Sequence, residues 1–162
     1  MTPGDTILTL YRRIDAGDFT GARALLAPSF RLTSTVHPEP MDADAWLGAL
    51  ALFDAAFSDV SHGTVVDAEN GGEDGGEVRG RFHVSGRHTG HLSIPGLAEL
   101  APTGKAFRLP AEPFAAHVHN GLVERVRVTM APNGGYKAVL AQLRGEAEPA
   151  PLAPAGGEEP AA

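Results

Sequence analysis

Two titratable residues fall where strand alternation turns them toward apolar neighbours. His88 shares parity with Phe82 and Val84, and Glu112 shares parity with Phe114, Ala116 and Val118. A histidine and a carboxyl group that converge in an apolar hollow can work beside a carbonyl. One removes a proton from the adjacent carbon, and the other donates to the developing enolate oxygen. In that division His88 is the base and Glu112 the donor, with burial raising the glutamate pKa into a useful range. Structural roles compete with this: His88 tied to backbone in a glycine-flanked bend, and Glu112 at a rim beside Pro110 and Pro113. His117 and His119 stand at i and i+2, the spacing that puts two ligands on one side of a strand. No further ligand motif accompanies them, so surface histidines are expected, with no metal and no cofactor. His117 falls on the polar face with Ala115 and His119, opposite Arg125 or Arg127, unless a bulge near Pro113 reverses it.

The elements that must position these residues follow from periodicity. Ile7, Leu10, Tyr11 and Ile14 recur at helical spacing, and Asp18 is placed to cap a short second helix that Pro28 ends. Phe30 to Val36 alternates as a half-buried strand. Asp42 begins the longest helix, whose stripe is Trp46, Leu50, Phe53 and Phe57, with Ser58-Asp59 closing it. Glu77 to Leu92 reads as one alternating strand. Residues 93–104 read as a loop, and Lys105 to His119 as a long strand bent near Pro110 and Pro113. Asn120-Gly121 signals a hairpin into Leu122 to Met130. A short helix through Tyr136, Val139, Leu140 and Leu143 ends the pattern. Helices first and strands later predict an α+β domain with helices covering one face of an antiparallel sheet. The sheet is expected to curve around a hollow. Trp46, Phe53, Phe57, Phe82, Phe107 and Phe114 are the candidate ligand-binding aromatics, about half of them touching the cavity.

Several stretches resemble the SnoaL-like polyketide cyclase and ester cyclase branch of the nuclear transport factor two-like fold. They are Ala16-Gly17-Asp18, Ala27-Pro28-Ser29-Phe30, Phe57-Ser58-Asp59-Val60, Gly86-Arg87-His88-Thr89-Gly90, Ile94-Pro95-Gly96, Pro102-Thr103-Gly104-Lys105 and Gln142-Leu143. The resemblance spans roughly residues 6 to 145. It implies a cone-shaped α+β roll, frequent homodimers and a pocket for a hydrophobic or polyketide-like ligand. It also implies intramolecular aldol closure without metal or cofactor. Matched position by position, the family histidine falls at His117 and the family aspartate at Ala131. The latter is followed by Pro132-Asn133-Gly134-Gly135, where Asn133 is a candidate ligand contact. An amide cannot abstract a proton at neutral pH, so a binding or association role stands as the alternative to catalysis.

The bulk composition narrows the classes. The absence of cysteine excludes thiolate catalysis and a disulfide framework, and fits a reducing cytoplasm. A formal net charge of −7 disfavours a nucleic-acid partner. No apolar stretch reaches membrane-spanning length, and the N-terminus lacks a basic, apolar leader pattern. One domain is expected over 1–144. Residues 145–162, rich in Ala, Pro, Gly and Glu, are expected as a disordered tail. The expected partners are a hydrophobic small molecule and a second copy of the chain.

Overall fold

A computed structural model describes residues 1–72, 74–94, 96, 98–132 and 134–152. The N-terminal helix α1 (Pro3–Asp15) is opened by a capping box between Thr2 and Asp5, with Pro3 in its first turn. Gly17, at φ +76°, ends it. α2 (Phe19–Arg23) takes Asp18 as its cap. β1 (Leu26–Ser34) starts earlier than alternation indicates and incorporates Pro28. α3 (Ala43–Asp54) is capped by Asp42.

Phe57 does not extend the α3 stripe. It opens β2 (Phe57–Ser61), because the helix closes at Ala55 and the chain turns to pair. β3 (Val65–Glu69) and β4 (Gly75–Phe82) follow. The single strand expected over 77–92 is broken at His83–Val84, and β5 (Ser85–His88) belongs to another sheet. Short strands β6 (Leu92–Ile94) and β7 (Ala98–Leu100) pair within the expected loop. β8 (Ala106–Arg108) and β9 (Glu112–His119) are likewise two strands in two sheets. β10 (Leu122–Val128) and α4 (Gly135–Leu143) complete the domain.

Five strands form the main sheet in the order β1-β10-β9-β4-β3, with only β1–β10 parallel. The turn between β9 and β10 places Asn120 and Gly121 at φ 51° and 75°, the left-handed pair a tight hairpin favours. The second sheet runs β2-β5-β8. One core cluster joins α1 and α3 to the main sheet through Ile7, Leu10, Phe30, Trp46, Phe82 and Phe114. The other joins α4 to the second sheet through Phe57, Phe107, Leu140 and Leu143. Gln142 ties that helix to β8 by accepting from the Arg108 N–H and donating to its carbonyl. Beyond Gly145, Ala150 pairs with β8: its N–H donates to the Arg108 carbonyl, and its own carbonyl accepts from the Arg108 guanidinium. The part of the expected tail at 153–162 lies outside the described residues.

Candidate functional site

A cavity of about 600 Å³ opens between α1, α3, the N-terminal end of α4 and the main sheet. Its walls are mostly apolar, including Ile14, Trp46, Leu50, Phe53, Phe82, Val84, Leu109 and Val139. Exposed His37, Glu39 and Asp42 lie at its rim. Tyr11, Asp54, His62, Glu112 and Tyr136 are the other titratable groups of its lining, Tyr11 and Glu112 being the buried ones.

Glu112 begins β9 opposite Phe82 and is only 4% exposed. Among the described residues its Oε2 has no hydrogen-bond partner. Burial pushes its carboxyl up to about 7, with the Gly135 N–H drawing it back. Gly134 is small for a reason: a Cβ there would lie 3.1 Å from Oε2. Tyr11, in α1, is 2% exposed and packs 4.5 Å from Phe82, centroid to centroid. Burial, then the charges of Asp15 and Glu112, hold its hydroxyl protonated far above its ordinary value.

His88 does not join Glu112. It is fully buried and packs against Phe57, ring centroids 5.3 Å apart and tilted, outside the cavity lining. Its Nδ1 accepts from the Thr103 N–H at 3.1 Å, its backbone N–H donates to the Lys105 carbonyl, and its own carbonyl accepts from the Gly104 N–H. It therefore clamps the base of the β6–β7 excursion, and burial pushes its pKa down. The physical reason is the break at His83–Val84. Parity with Phe82 does not carry across it, because β5 leaves the main sheet.

His117 stands on the outer face of β9, with Nδ1 2.8 Å from Glu77 and Nε2 3.3 Å from Glu124. It does not line the cavity. Among the expected aromatics, Trp46, Phe53 and Phe82 line it. Phe57 and Phe107 fill the second core, and Phe114 stacks behind Phe82 at 4.5 Å. Asn133 lies outside the described residues. No cluster of three or more His, Asp or Glu among the described residues is arranged to hold a metal.

Asp15 and His62 are the pair that pattern reading misses. Asp15 is the last residue of α1, and His62 follows β2, 47 positions away. The Asp15 carboxylate lies 2.7 Å from His62 Nδ1 and also accepts from the His62 backbone N–H at 3.0 Å. Neither residue sits in a motif, and only the packing of α1 beside β2 brings them together. The one sequence signal is Asp15 itself, an acid at the helix end where the dipole disfavours negative charge.

No family model matches the sequence, and no curated protein does. Solved structures do match. IdmH of Streptomyces antibioticus, a proposed polyketide cyclase, superposes with a TM-score of 0.64 at 26% identity, covering 89% of this chain and 99% of that one. AclR of Streptomyces galilaeus, a proposed hydroxylase, gives 0.65 at 17%, covering 88% and 96%. A proposed SnoaL-like polyketide cyclase from Jannaschia gives 0.62 at 18%, covering 91% and 93%. With the helix-covered curved sheet and its cavity, the chain has the fold of the SnoaL-like polyketide cyclases, within the nuclear transport factor two-like group.

Proposed function

We propose that this protein is a cofactor-free acid/base enzyme that enolises a hydrophobic carbonyl compound in its cavity, as a cyclase, isomerase or hydrolase of such compounds would. The feature that carries this is Glu112: a buried carboxyl facing an apolar cavity, with one oxygen unbonded among the described residues and burial pushing its pKa up to about 7. A neutral carboxylic acid in a dry site donates to a carbonyl oxygen and stabilises the enolate as charge develops there. Tyr11, kept protonated beside it, is a second donor to the same oxygen. Apolar walls fit a hydrophobic skeleton. The proposed polyketide cyclases among the structural relatives are in keeping with such a ligand. In this assignment His88 and His117 hold the scaffold. We take the protein to act in the cytoplasm as a homodimer, joined through the outer sheet face that presents Glu77, Arg79, Arg125 and Arg127.

Deuterium uptake at the carbon next to the carbonyl of 2-tetralone, followed by NMR in heavy water, tests the assignment. The wild type is expected to exchange well above buffer, and Glu112→Gln to lose about 10- to 100-fold of that rate. Binding of the ketone, read from quenching of the sole tryptophan Trp46, without any exchange would leave a ligand-binding protein in place of an enzyme.

A further inference from the structure

Enolisation through Glu112 leaves open which group takes the carbon-bound proton, since His88 and His117 do not reach the cavity. Resting on that assignment, we infer that His62 is the proton acceptor, acting through Nε2, and that Asp15 is its positioning residue.

Four observations lead there. The contact of Nδ1 with the Asp15 carboxylate, at 2.7 Å, requires the proton on Nδ1, because a carboxylate only accepts. In the neutral ring Nε2 is then the lone-pair nitrogen, and no group among the described residues bonds to it. The ring lines the cavity, with 12% of its side chain exposed. It stands 5.0 Å from the Tyr11 ring and 5.7 Å from the Phe82 ring, the residue whose backbone register partner is Glu112. Base and donors therefore line the same cavity, with Tyr11 and Phe82 between them.

Backbone contacts fix the position of His62. The His62 N–H is held by Asp15, and its carbonyl accepts from the His83 N–H at 2.6 Å. Gly63, at φ +55°, passes so close that a Cβ would lie 2.7 Å from the His83 carbonyl oxygen. Asp15 is also costly where it is, at the negative end of α1. A carboxylate kept there and spent on a histidine is poorly explained by helix stability. The step balances without a co-reactant. The C–H bond breaks, its proton passes to Nε2, and its electron pair forms the enolate double bond. The carbonyl electron pair moves to the oxygen that Glu112 and Tyr11 face, and the imidazolium later returns the proton. This is the logic of a carboxylate that fixes a histidine tautomer.

Alkylation by 2-bromoacetophenone tests the base separately from turnover. Nε2 displaces bromide, forming a C–N bond, and the chain has no cysteine to compete. His62 is expected to be labelled at least about tenfold faster than any other histidine, by peptide mass spectrometry, and Asp15→Asn is expected to slow it about tenfold. Labelling spread evenly over the histidines would overturn the inference. So would a His62 rate indifferent to Asp15→Asn in a variant that remains folded. Should that variant fail to fold, nitrogen-15 NMR of the wild type decides: a proton on Nε2 in place of Nδ1 refutes the assignment. Tetralone exchange that survives in His62→Gln would remove His62 as base while leaving the Glu112 assignment standing. Selective labelling without tetralone exchange would do the reverse.

Discussion

Replacing Glu112 by Gln should change how stability depends on pH. The carboxyl has an ordinary value of 4.5 and is pushed up to about 7 in the fold. The folded protein therefore binds this proton more tightly than the unfolded chain does. Its stabilising effect is complete below pH 4.5 and is lost as pH rises through 7. Linkage turns the gap into about 3 kcal/mol of stability, of which about 2.5 kcal/mol is lost between pH 5 and pH 8. Gln has nearly the same shape and cannot ionise. Urea unfolding of both proteins at pH 5, 6, 7 and 8 isolates the effect, because every other titrating group is common to the pair. The variant should gain on the wild type as pH rises, with a relative midpoint shift of about 1–2 M urea by pH 8. A wild-type-minus-variant difference that stays constant within about 0.5 kcal/mol across the series would refute burial as the cause of the shift.

Two further outcomes follow from packing. His88→Ala should cost about 2–4 kcal/mol of stability by emptying a fully buried site and freeing the Thr103 N–H, while leaving Trp46 quenching by 2-tetralone unchanged in protein that stays folded; His117→Ala, on the outer face, should cost under about 1 kcal/mol, with both losses read by urea unfolding. Truncation after Arg144 should lower stability by about 1–2 kcal/mol through loss of the Ala150–Arg108 pair, as calorimetry would show.

The sequence made the local devices legible. Asp18 and Asp42 cap helices, Asn120-Gly121 makes a hairpin, and Phe30, Leu32 and Ser34 share one face, because each depends on a few adjacent residues. Glu112 could be found by parity because β9 runs unbroken from Glu112 to Val118. Parity failed for His88, since alternation reports which side of a strand a residue occupies but not which sheet the strand joins. A two-residue break at His83–Val84 moved β5 from the cavity wall to the second core. Phe57 failed similarly, because helical spacing persisted one step past the end of α3. Asp15 and His62 were invisible for a different reason: their relation is tertiary, and no local pattern encodes a contact between a helix end and a residue beyond a distant strand.

The parallel pairing of β1 with β10 has a consequence for biosynthesis. Leu26 pairs with Val123, so the partners lie about a hundred residues apart along the chain. Closing such a loop costs about 2 kcal/mol more entropy than closing one of about ten residues. On a ribosome adding about 5–20 residues per second, β1 waits on the order of 5–20 seconds for its neighbour. Throughout that interval α1, α2 and β1 present Ile7, Leu10 and Phe30 without the sheet that covers them. Asp15 and His62 are made well before Glu112, so the nascent chain cannot assemble the cavity until β9 has been made. Slow, late closure leaves these apolar faces to chaperones that shield them at the exit tunnel, and yield should depend on translation speed between β1 and β10.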